Sequence, residues 1–169
     1  MREVARKGLR AIGAAVAAFA AAGPACAAPV ATVSASIVKP IILTWVQDLD
    51  LGTIIPPPGN FSNSIVSLSR NGTLTCAANL TCTGTTTVAR YDVVGSQGQV
   101  VTVSAPNVTM VNQSDTTKTL TLTVDNPGSV TIANSGQPGT KFSLGGSINL
   151  NSTTVGGVYT GTFNVTVNY

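Results

Sequence analysis

From Tyr159 to Tyr169 the chain alternates without a break. Tyr159, Gly161, Phe163, Val165, Val167 and Tyr169 hold the odd positions, and Thr160, Thr162, Asn164, Thr166 and Asn168 the even ones. A period of two puts every second side chain on one face of an extended strand. A strand patterned this strictly buries its odd face, because a slip of one residue would turn the Thr/Asn face into the core. Its backbone also carries two edges whose N–H and C=O groups need partners. Any fold for this chain therefore has to supply a core for the odd residues and a strand ladder for at least one edge.

The same period recurs upstream. A Pro-rich stretch, "IIPPPGN", leads into "SIVSLS" (Ser64 to Ser69). Ala89, Tyr91 and Val93 alternate with Arg90 and Asp92, and "GSQG" turns this run into one with Val101, Val103 and Ala105 on a single face. Leu120, Leu122 and Val124 alternate with Thr; "DNPG" (Asp125 to Gly128) then reads as a hairpin turn into Val130 and Ile132. Phe142, Leu144, Gly146, Ile148 and Leu150 form another alternating row. Turn signals spaced about 8–12 residues apart are the pattern of a sandwich. The richness in Thr and Val suits pleated, half-buried surfaces. The expected fold is all-β: a single immunoglobulin-like antiparallel β-sandwich with almost no helix, no internal repeat and no linker.

The first residues do not belong to that sandwich. "MREVARKGLRAIGAAVAAFAAAGPACAAP" has a basic start, an apolar Ala-rich run from Ala11 to Ala22, and Ala25-Cys26-Ala27 as an A-x-A cleavage site. These are the parts of a secretory signal peptide, and the run is too short to anchor the chain in a bilayer. A lipoprotein would carry its lipid on Cys26, but Gly23-Pro24-Ala25 lacks the leucine-like residue expected there. The expected organisation is a signal peptide at 1–27, an extension or first strand at 28–40, and a sandwich at 41–169. The mature chain has no integral membrane segment.

Cleavage also removes the charge. Of nine basic and six acidic residues, the leader holds Arg2, Arg6, Lys7, Arg10 and Glu3. What remains is Lys39, Arg70, Arg90, Lys118 and Lys141 against Asp48, Asp50, Asp92, Asp115 and Asp125, a neutral set. Backbone binding to nucleic acid needs clustered Lys and Arg, so no nucleic-acid partner is expected.

Chemistry is equally restricted. With no His in the chain and no Glu after the leader, the usual base for a Ser or Cys nucleophile is missing. Asp48 and Asp50 in "DLDLG" could be drawn into a calcium site, but the spacing of a calcium loop is absent. No enzyme, cofactor or metal is expected. Cys76 and Cys82 in "CAANLTC" are the only thiols left after cleavage, and an exported pair this close reads as a disulfide. The mature aromatics are Trp45, Phe61, Tyr91, Phe142, Tyr159, Phe163 and Tyr169. Most lie on alternating apolar faces and read as core. Phe61, beside the Pro-rich loop, is the one expected to be free for a sugar platform.

The ending "GGVYTGTFNVTVNY" resembles the C-terminal strand of archaic chaperone–usher pilins, the group that includes spore coat protein U-like proteins. "VSASIVKPIILTWVQDLDLGTI" is similar to their first strands, with Leu49-Asp50-Leu51-Gly52 in the place of an L-x-F-G-like motif. Taken whole, residues 31–169 look closest to an exported bacterial family of unknown function related to those pilins. The resemblance implies a non-enzymatic, fimbrial or adhesive subunit exported to the periplasm and then the cell surface. Its partners would be a periplasmic chaperone, an usher and neighbouring subunits. It implies assembly by β-strand addition, with Tyr159, Gly161, Phe163, Val165, Val167 and Tyr169 as the assembly edge. The candidate donor strand is Val33, Ala35 and Ile37, in "ATVSASIV", with Ile41 opening the subunit's own first strand. Two departures stand out. Pro40 lies near the place where many such pilins carry a first-strand Cys, and the two mature Cys lie together elsewhere. Alternatively, Val33 to Trp45 is one kinked first strand of a self-complete sandwich, and the protein is a monomeric secreted carbohydrate-binding or matrix protein.

Overall fold

The computed structural model describes residues 30–169, and every regular element among them is a strand. The expected signal peptide lies outside the described residues. In chain order the strands are β1 (Ile42–Gln47), β2 (Thr53–Ile55), β3 (Ser64–Leu68), β4 (Leu74–Cys76), β5 (Thr81–Thr83), β6 (Ala89–Val94) and β7 (Val100–Ser104). They continue as β8 (Val108–Asn112), β9 (Thr119–Asp125), β10 (Ser129–Thr131), β11 (Thr140–Leu150), β12 (Tyr159–Thr160) and β13 (Thr166–Asn168). The chain divides into two compact units, Met1–Ala35 and Ser36–Tyr169. Of the first, residues 30–35 are described; they form no strand and are exposed.

The second unit is an antiparallel β-sandwich. Its larger sheet runs β1-β6-β11-β9-β8-β12, with β3 also on β11 and β4 on β3; a three-stranded sheet runs β10-β7-β13, and a two-stranded ribbon joins β2 to β5. β11 is long enough to serve several neighbours: Thr140 to Leu144 pair with β6, Gly145 to Ile148 with β9, and Gly146 to Leu150 with β3. Gly145 makes this possible, because a Cβ there would run into the Leu68 carbonyl and come within 2.9 Å of the Arg70 nitrogen.

The alternating rows become the core. Ala89, Val93, Val103, Ala105, Phe142 and Leu144 form one buried cluster, and Val66, Leu80, Val108, Leu122, Ile148 and Leu150 form another. Phe163, Leu49 and Val124 pack against both. The buried polar side chains are tied in. Asn112 accepts from the Ser114 N–H at 2.8 Å and donates to the Gly156 carbonyl at 3.2 Å, and Ser64 receives a bond from Asn79 Nδ2 at 2.6 Å, as buried polar groups require.

Two expectations are corrected. "DNPG" does not close a hairpin: β9 pairs with β8 and β11, whereas β10 pairs with β7. The turn carries the chain from one sheet to the other. Asn126 Oδ1 accepts from the Gly128 N–H, and the Gly128 carbonyl accepts from Val103 in the second sheet. Nor does a kinked first strand start at Val33. Among the described residues no strand precedes β1, which opens at Ile42, one residue after the expected Ile41.

Candidate functional site

The terminal segment carries two short strands, β12 and β13, which belong to two separate sheets. Tyr159 and Thr160 sit opposite Asn112 and Val111 of β8, and Thr166, Val167 and Asn168 sit opposite Ser104, Val103 and Thr102 of β7. Residues 159–168 therefore run antiparallel along 112–102 and turn the corner between the sheets with them. The register slips by one on the way: six steps on the terminal side answer seven on the other. The extra residue belongs to the partner, whose inward residues are Val101, Val103 and Ala105 and then, after a gap of three, Val108 and Asn112. That is the count of a β-bulge, and Pro106, which has no N–H to give, lies within it. The terminal segment keeps its strict alternation because the bulge is on the strand it follows. Gly161 falls at the corner, where a Cβ would come within 2.7 Å of Val108 Cγ1 and 3.2 Å of the Met110 backbone. Only a residue without a side chain lets the segment lie this close on β8.

The segment is not one continuous ladder, since Gly161 to Val165 hold no strand pairing between β12 and β13. Its faces differ in the expected sense, but no odd residue is fully buried. Tyr159, Phe163, Val165 and Val167 are half-buried, while every even residue is exposed. Gly161, at the corner, and Tyr169, 46% exposed, are the odd residues left open.

Among the described residues no strand pairs with its second edge. β12 ends the larger sheet and β13 ends the smaller one, so the segment is an edge of both. β1 is the opposite margin of the larger sheet. Ile41 and Leu43 on that side, and Phe163, Val165 and Val167 on the other, are half-covered and pack on the same buried cluster. Trp45 marks how open this side is. Trp45 sits opposite Tyr91, and Tyr91 opposite Phe142, across three neighbouring strands. Tyr91 and Phe142 stack at 5.6 Å and Phe142 is buried, yet Trp45 is 58% exposed. The most exposed aromatic among the described residues is thus Trp45, whereas Phe61 packs on the second core cluster.

The two margins are tied at one end. The Tyr169 hydroxyl donates to the Lys39 carbonyl at 2.5 Å and accepts from the Ser96 N–H at 2.9 Å. The Lys39 N–H in turn donates to Ser96 Oγ at 2.7 Å. Of the candidate donor residues, Val33 is 96% and Ile37 94% exposed, and Ala35 is exposed as well.

The remaining candidates have local roles. Asp48 accepts from the Trp45 indole N–H at 3.1 Å, and Asp50 from the Gly52 N–H at 2.8 Å, so both carboxylates cap their own turn. Burial, and after it the Asp48 carboxylate, pushes the Tyr91 phenol above its ordinary value, which keeps it neutral at any physiological pH. Cys76 and Cys82 are bonded. They join β4, at the margin of the larger sheet, to β5 of the ribbon, with Leu80 buried in the loop between. No helix among the described residues is long and apolar enough to cross a membrane.

No curated protein and no solved structure matches the chain. A family model does, over residues 41–169, which are the sandwich from the residue before β1 to the end of the terminal edge. The chain belongs to the family described as a domain of unknown function, DUF4402.

Proposed function

We propose that this protein is a non-enzymatic, exported, pilin-like subunit that acts as a structural or adhesive component of the cell surface and is assembled by β-strand addition. The observation that carries the reading is the terminal segment. It is an unpaired edge of both sheets, and its inward residues Phe163, Val165 and Val167 face the core only half-covered. An added strand supplies backbone partners to the edge and side chains to the opening. The occupant we assign is the Val33-Ala35-Ile37 segment of a second copy. Those residues alternate and are left exposed on their own chain. A periplasmic chaperone holds the edge before assembly, and an usher passes subunits outward. The Cys76–Cys82 disulfide is compatible with an oxidising, exported setting.

The test is the assembly state of the exported protein, with and without residues 28–38. Head-to-tail polymers that vanish with the deletion support the reading, while an identical monomer in both cases overturns it. A second reading, a monomeric glycan binder, is favoured by one feature: a shallow cleft lined by Lys118, Asn149, Asn151, Thr153 and Tyr159. Saturable glycan binding by that monomer, lost in Tyr159→Ala, would support it.

A further inference from the structure

Lys39 is where the N-terminal extension meets the sandwich, and its backbone is fully engaged. Its N–H is given to Ser96 Oγ and its carbonyl takes the Tyr169 hydroxyl. Pro40 follows, with a fixed φ and no N–H. Tyr169 and Ser96 are themselves joined, so three chain segments close on one another: the last residue of the open edge, the turn after β6, and the root of the extension. Gly95 leaves room for this closure, because a Cβ there would lie 2.7 Å from the Tyr169 hydroxyl. Immediately before the tie the chain is free, with Ile37 94% exposed.

The position of the tie matters because β1 and β13 run in opposite directions along the opening. β13 ends, and β1 is about to begin, at the tie. An extension closing on its own edge would have to reverse at Lys39-Pro40 and run back along β13 in parallel. Such a reversal would have to reorient Lys39 and Pro40, but the tie holds Lys39 by both its N–H and its carbonyl and the ring of Pro40 fixes its φ. A strand arriving from another copy meets no such requirement and can lie antiparallel to β13, the more stable pairing per residue.

We propose that the Tyr169–Lys39–Ser96 tie is a restraint against self-closure: it holds the root of the extension so that the donor segment stays available to a second copy and does not fill the edge of its own chain. The proposal rests on the strand-acceptor reading above and adds what regulates it. Tyr169 and Ser96 are positioning residues here.

The test compares exported wild-type protein with Tyr169→Phe, which keeps the ring and removes the hydroxyl, and with Ser96→Ala, which removes the Oγ partner of Lys39. Thermal melts verify that each variant is folded. Light scattering gives the monomer fraction, and amide hydrogen exchange gives the protection of residues 32–38 within monomers. Both variants are expected to raise the monomer fraction at least five-fold, with residues 32–38 protected in those monomers. Variants that assemble like wild type overturn the proposal, as do monomers whose residues 32–38 exchange freely. A separate arm adds a synthetic Thr32–Val38 peptide to wild-type monomer and reads Trp45 emission. A blue shift with unchanged variants removes the restraint and keeps the acceptor edge. No shift at any peptide concentration, with wild type monomeric, removes both.

Discussion

Phe163 is the residue on which the sandwich should depend most at its open side. It lies between β12 and β13, where the terminal segment turns the corner, and it packs against both core clusters. Truncating a fully buried Phe to Ala costs about 3–5 kcal/mol. Phe163 is half-covered, so Phe163→Ala in an isolated subunit should cost about 2 kcal/mol. For a domain of this size that lowers the melting temperature by roughly 4–8 °C. Thr162 is the internal control. It is one residue away, exposed, and on the opposite face, and Thr162→Ala should fall within about 0.5 kcal/mol of wild type. On the proposed strand addition Phe163 would be covered in an assembled form, and the cost should rise toward the full value. Urea and thermal unfolding, followed by circular dichroism and by the emission of the only tryptophan, measure each case. Equal losses at positions 162 and 163 would show that the assignment of faces is wrong. A loss at Phe163 that is the same in monomer and assembly would show that nothing covers this side.

Three further outcomes follow from the same geometry. Gly161→Val should destabilise by about 1–3 kcal/mol through overpacking against Val108 and Met110, measured by urea unfolding; a neutral result would mean that the terminal segment does not lie on β8. Replacing Cys76 and Cys82 together by Ser should cost about 2 kcal/mol by chain entropy, and intact mass should show a gain of two hydrogens when the wild type is reduced. The Tyr91 phenol is raised by burial and by Asp48, so the folded state holds its proton more tightly than the unfolded chain does. Its contribution is complete below the unfolded value near pH 10 and is lost as the pH rises through the higher folded value. Tyr91→Phe should therefore melt with less alkaline sensitivity than wild type in a pH series above about 10.

Much of this was legible in the sequence because period two is a local property. The inward rows of β6 and β7 and the half-buried face of the terminal segment follow from it, and the bonded Cys pair follows from two thiols lying close together in the sequence. What was not legible is which strand lies beside which. "DNPG" has the composition of a hairpin turn, but composition reports the bend and not the partner, and long-range pairing sent β9 and β10 to different sheets. In the sequence Phe61 stands out as the free aromatic and Trp45 does not, yet burial also depends on how far the opposite sheet extends, and that sheet has only three strands. The bulge was within reach: the inward spacing jumps from two to three between Ala105 and Val108, across Pro106.

The central claim is that residues 159–169 form an edge waiting for a strand, and amide hydrogen exchange on exported protein separated into monomer and assembly tests it most directly. In an antiparallel edge alternate amides face away from the paired strand, so Gly161 to Asn168 should exchange quickly in monomers at those positions. In assemblies the same amides should become protected together with residues 32–38, and both segments should lose protection together on dissociation. Full protection of Gly161 to Asn168 in the monomer, or assemblies in which neither segment gains any, would contradict the account.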